Sequence, residues 1–201
     1  MNITIQLLER AEACDEGIAA FLVKFPEGEA TWEQCVAAAE TEEEQAHLAW
    51  LAWYCPAGVK EATWEARMVL QRNFADRAEL GKCCPAGVKG ATWKARLALQ
   101  VGYYGYADLG RYCPAGVKGA TWEVRLALQR DDEERARLGQ RCPDKVKGAT
   151  WEARLALQRN DADRAELGKC CPAGVKGATR KARIAVQRND GGREYIKSNF
   201  S

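Results

Sequence analysis

The sequence predicts an all-α protein, a right-handed α-solenoid of five 29-residue two-helix repeats behind a helical N-terminal cap. Three observations carry this. Cys-Pro pairs recur at Cys55, Cys84, Cys113, Cys142 and Cys171, each 29 residues from the next. A fixed period of that size marks a stack of supersecondary units, none of which buries its apolar face alone. Each copy carries a helix N-cap signal followed by an apolar stretch of helical period. The repeats run 55–83, 84–112, 113–141, 142–170 and 171–199, and residues 1–54 form an acidic cap containing one degenerate copy.

In the cap, 3–13 and 15–25 are expected to be helices, the second stopped by Pro26. Glu29-Ala-Thr-Trp32 matches the repeat, although Trp32 lies 32 residues before Trp64. Thr31 with Gln34, and Thr41 with Glu44, have capping-box spacing. The second pair opens an apolar helix, 45–54, suited to covering the first repeat.

In the repeats, Thr63, Thr92, Thr121, Thr150 and Thr179 each precede the first helix as N-caps. In the fourth copy that helix is Trp151 to Arg159. Asn160-Asp161 closes it and caps a second helix, Ala162 to Leu167, with Gly168 as the expected stop. The segment from the Cys-Pro pair to the next glycine reads as a turn with one helical coil. Trp64, Trp93, Trp122 and Trp151 share one repeat position and are expected in the core between copies. Arg180 takes that place in the last copy, which also has Glu194 and Lys197 where others have alanine and glycine, as a terminal repeat requires.

Arg67/Gln71, Arg96/Gln100, Arg125/Gln129, Arg154/Gln158 and Arg183/Gln187 are identical pairs, four apart, lying between two apolar arcs. The pattern admits two readings. They form a buried ladder satisfying carbonyls of the connector or the preceding repeat, or they line a concave binding face.

The segment from Ala153 to Leu167, Ala-Arg-Leu-Ala-Leu-Gln-Arg-Asn-Asp-Ala-Asp-Arg-Ala-Glu-Leu, resembles the variant leucine-rich repeats of bacteria. That resemblance covers about half of each repeat and implies an α-solenoid without a common activity. The present period is longer, the family's proline-rich turn is absent, and no cysteine cluster like that of its iron–sulfur member occurs. The opening from Ala13 to Pro26 is similar to those of bacterial and phage repeat proteins.

Residues 1–54 hold 11 acidic residues against Arg10 and Lys24, a net of −9; the rest carries 28 Lys/Arg against 17 Asp/Glu, a net of +11. A basic array can hold an anionic partner. The cations that would do so, if they share an exposed face, are Lys60, Lys89, Lys118, Lys147, Lys176, Arg180, Lys181 and Arg183. One repeat departs from the rest: Val101-Gly-Tyr-Tyr-Gly-Tyr106 replaces the consensus between helices, with Tyr112 beyond it. Tyrosine clusters are typical of binding hot spots. Tyr103, Tyr104, Tyr106 and Tyr112 are therefore the candidate partner-binding residues, on what reads as a loop.

No phosphate loop, nucleophile elbow or metal-ligand spacing occurs, and His47 is the single histidine. No catalytic residue, metal site or cofactor is expected. Five of the nine cysteines hold one repeat position, too far apart for a disulfide ladder, which fits a reducing compartment. With no secretory signal and no membrane span, a cytoplasmic location is expected. The leading functional expectation is a non-enzymatic scaffold for another protein. The alternative is non-sequence-specific binding of nucleic acid or another polyanion.

Overall fold

The computed structural model describes residues 2–200 and is all-helical apart from one two-stranded sheet. It comprises two compact units, Met1–Gln100 and Val101–Ser201. The division falls inside the second repeat, at the point where the consensus loop is lost.

In the first unit, β1 (Ile3–Thr4) pairs antiparallel with β2 (Glu29–Ala30), Ile3 opposite Ala30. The pairing takes up residues expected to be helical, so α1 starts late, at Ile5–Arg10, capped by Thr4. Then come α2 (Asp15–Lys24), α3 (Trp32–Ala38) and α4 (Glu42–Tyr54). Both expected capping boxes form: Thr31 and Thr41 accept from the backbones of Gln34 and Glu44, whose side chains return the bond. The unit ends with α5 (Trp64–Val69), α6 (Phe74–Cys83) and α7 (Trp93–Leu97). Neighbouring helices pack in sequence, α4 on α6 and α6 on α7.

The second unit contains α8 (Gly102–Tyr112), α9 (Trp122–Leu126), α10 (Asp132–Arg141), α11 (Trp151–Leu155), α12 (Asp161–Cys170), α13 (Arg180–Ala185) and α14 (Asp190–Asn199). The longer helices α8, α10, α12 and α14 pack each on the next. The short ones bridge them.

Three expectations about the repeats need correction. The first helix of each copy is shorter than its sequence period suggested. In the fourth copy it ends at Leu155 because Leu157 and Gln158 donate to carbonyls three residues back, tightening the last turn. The second helix does not stop at glycine: α12 runs through Gly168 to Cys170. What ends it is Pro172, which has no N–H to continue the ladder. The Cys-Pro connector contains no helical coil. It is a pair of turns, as in Ala149 N donating to Val146 O at 3.1 Å. Gly148 there has φ 89°, a conformation that favours glycine.

Three of the connectors also cap the first helix of the copy before them. The backbone N–H groups of Trp64, Trp122 and Trp151, at the starts of their helices, donate to Lys89, Lys147 and Lys176 carbonyls of the following copy at 2.9–3.0 Å. Of the four tryptophans at the shared repeat position, Trp64, Trp122 and Trp151 are buried and Trp93 is half-buried.

Candidate functional site

The arginine–glutamine pairs belong to the interior. Arg67, Arg96, Arg125 and Arg154 are 0% exposed and Arg183 1%, while the five glutamines are 3–5% exposed. Arg154 shows the geometry. Its Nε donates to Ala149 O of its own connector at 3.0 Å. Its two terminal nitrogens donate to Gly139 O and Pro143 O at 2.8 Å, at the end of α10 and just beyond it. A helix ending at proline leaves carbonyls without partners, and a guanidinium presents five donors in a rigid fork. The positive group also sits at the negative end of the helix dipole. The arrangement recurs in both units, at Arg96 on Gly81 and Pro85, and at Arg183 on Gly168, Cys171 and Pro172. The guanidinium lies 5.7–5.9 Å from the preceding copy's tryptophan in Arg96–Trp64, Arg154–Trp122 and Arg183–Trp151. Burial pulls the Arg67 and Arg183 pKa values down from the ordinary arginine range.

Each glutamine serves the same joint. Gln158 Nε2 donates to Ala136 O at 3.3 Å and Arg154 O at 3.0 Å, linking one copy to the next. The carbonyl oxygens of Gln100 and Gln129 are buried without a hydrogen bond.

This burial removes Arg183 from the expected polyanion-binding residues. Its donors are engaged by backbone and its face by the Phe200 ring at 4.1 Å. Arg180 is exposed but donates to Lys197 O at 2.9 Å. Other last-copy cations are paired as well: Arg188 with Asp161, Arg193 with Asp190 and Lys197 with Glu194. Lys181 and the lysine series, Lys60, Lys89, Lys118, Lys147 and Lys176, have exposed side chains. The surroundings of Lys147 are mixed in sign, since it is close enough to help hold the Glu123 carboxyl below its usual range, after the larger effect of the Thr121 hydroxyl.

The tyrosines occupy a helix, not a loop. Val101 is the N-cap of α8 and offers no side-chain acceptor, so the helix runs from Gly102 without the capping bond that Asn73, Asp131 and Asn160 give their helices. Tyr103 is fastened to the next copy: its hydroxyl donates to Asp131 Oδ2 at 2.8 Å and Arg130 lies 4.8 Å from its ring centroid. Burial and the carboxylates of Glu134 and Asp131 push the Tyr103 phenol up from its ordinary pKa. Tyr104 leans on Tyr103, ring centroids 5.2 Å apart, and is 73% exposed. The structure therefore brings together one anchored and one displayed ring. Tyr106 is half-buried, and Tyr112, eight residues after Tyr104, lies roughly 12 Å further along the axis.

Sequence reasoning missed the polar cluster behind these rings. Arg111 is buried and pairs with Asp108 at 3.0 Å, with Glu134 Oε1 at 3.9 Å and Glu134 Oε2 unpartnered. It also missed a cavity of about 330 Å³ in the first unit, lined by α1 to α4 and including His47 and Lys24. The second was beyond a periodicity reading, because its walls come from residues with no common spacing. Among the described residues no helix is long and apolar enough to cross a membrane. No protein-family model matches the chain, and no curated protein or solved structure matches it either.

Proposed function

We propose that the chain is a non-enzymatic repeat scaffold that binds another protein, its five copies stacked as a right-handed α-solenoid resembling variant leucine-rich repeats. The observation that carries this reading is the division of labour among the polar residues. The Arg–Gln pairs, identical in every copy, are consumed inside the stack, while the exposed Tyr104 sits where one copy breaks the pattern. Tyr104 held out by an anchored Tyr103 is the kind of stiff, amphipathic surface that interfaces use. Nine free cysteines favour a cytoplasmic setting.

Restoring the consensus Asn-Asp-Ala-Asp-Arg over 102–106 reinstates a side-chain cap and is expected to stabilise the fold by about 1 kcal/mol. Partner capture should weaken in the same variant, and in Tyr104→Ala, whose exposed side chain can be removed without opening the core. Equal capture by wild type and both variants would remove the tyrosine face from consideration. The exposed lysine series supports a second reading, non-specific polyanion binding. Its affinity for a generic duplex would fall steeply with added salt.

A further inference from the structure

The cap carries a recess, open to solvent at its rim, that its own side chains do not fill. Helix α2 packs on α1 with none of its residues fully buried, although Ile18 and Phe21 turn toward the core. Beneath it is the cavity of about 330 Å³, walled by Leu8, Phe21, Phe25, Cys35, Leu48 and Trp50. Protein interiors are normally close-packed, and an apolar cavity of this size is within the range that small ligands occupy. Cys35 adds no charge to the wall, since burial pushes its thiol up to about 12; the titratable groups of Glu12, Lys24, Glu44 and the half-buried His47 also line the cavity.

The rim carries the specificity. Lys24 and Glu44 neutralise each other across it at 2.9 Å, bridging α2 to α4. Glu12 also lines the opening, is exposed, and makes no salt bridge among the described residues. The surroundings add to its sign, with a net of −9 over residues 1–54. Glu12 is also the single non-glycine residue with positive φ among the described residues, at 60°. It stands at the position after α1 where helices favour glycine, with Glu12 N on Glu9 O and Ala13 N on Leu8 O, both 3.0 Å. A side chain kept in that conformation is retained at a cost in stability, and the carboxylate is what it contributes.

We propose that this cavity binds a small organic cation with an apolar body, an alkyl- or arylalkyl-ammonium. The body packs among Phe21, Phe25 and Trp50, and the ammonium group lies at the rim against Glu12, within reach of aromatic faces. The site is independent of the tyrosine face.

Calorimetric titration of the full chain at low ionic strength with n-hexylammonium, 1-hexanol and hexanoate tests this. Saturable binding of hexylammonium is expected, roughly two- to fivefold tighter than hexanol, as one exposed ion pair allows, and tighter still than hexanoate. Glu12→Gly is expected to melt higher than wild type, because glycine relaxes the backbone, while binding hexylammonium no better than hexanol. Ala20→Phe, which places a ring in the cavity, should abolish binding of all three. Absence of saturable binding by any probe, or undiminished binding in Ala20→Phe, overturns the site. Hexanoate binding as tightly as hexylammonium overturns the choice of a cation, as does an unchanged preference in Glu12→Gly. The Glu12 variant carries the test even if Ala20→Phe does not fold.

Discussion

At the scale of single residues, the buried arginine is the central fact. Burying a guanidinium without a carboxylate is costly unless every donor finds an acceptor. Here the acceptors are carbonyls that Cys-Pro turns would otherwise leave unpaired, so each group cancels the other's desolvation. Arg154→Lys tests this. An ammonium has the charge but not the fork, and it cannot reach Ala149, Gly139 and Pro143 carbonyls together. A loss of about 3–5 kcal/mol is expected in denaturant titration, as when one partner of a buried pair is removed. A loss under about 1 kcal/mol would show that the carbonyls find water instead. The invariance of the pair was plain in the sequence, but its side of the helix was not. A stripe between two apolar arcs can face water or a neighbouring backbone, and only the packing of the next copy decides.

The element scale shows how a local signal can be right about the residue and wrong about the reason. Threonine caps read correctly because the capping bond is made within four residues. Glycine at 81, 110, 139 and 168 looked like a helix stop, yet it lies inside the second helix of its copy. A Cβ on Gly139 would fall 2.6 Å from Gln158 Nε2 and 3.0 Å from Arg154 O. The glycine is there for the close approach of the next copy, a contact invisible to any local rule. Gly139→Ala therefore opposes two effects: helix propensity gains about 1 kcal/mol, and overpacking against backbone costs about 1–3 kcal/mol. We expect net destabilisation, read as a lower melting temperature. In the cap, Glu44 accepts from Thr41 and Glu40 backbone N–H groups and pairs with Lys24, which holds its carboxyl down to about 2. A carboxyl with a lowered folded value stabilises fully above about 4.5 and loses that contribution as pH falls toward about 2. Glu44→Gln should remove that part of the acid slope in a pH titration followed by circular dichroism. The apolar pocket behind it was not legible at all, since α1 to α4 contribute to it from unrelated registers.

For the whole molecule, the thiols report folding. Cys55, Cys84, Cys113, Cys142 and Cys171 are buried, and burial pushes Cys55 up to about 11. Iodoacetamide at pH 8 should label exposed Cys14 rapidly and Cys170 slowly, because burial and Glu166 raise the latter to about 11. The five repeat cysteines should react only at the denaturant midpoint of global unfolding. Labelling of one repeat cysteine well below that midpoint, read by mass spectrometry, would mean that copies open singly.

The joint of carbonyls, glycine, arginine and glutamine also bears on how such a gene can change. Excising 142–170 would leave Arg183 its own connector carbonyls at Cys171 and Pro172 and exchange Gly168 for Gly139, the carbonyl that Arg154 already uses. Unequal crossing-over between near-identical copies can then shorten or lengthen the coding sequence without creating a mismatched seam. Copy number becomes a heritable dial, and the single divergent copy, with its tyrosines, is the one part that such an exchange could erase.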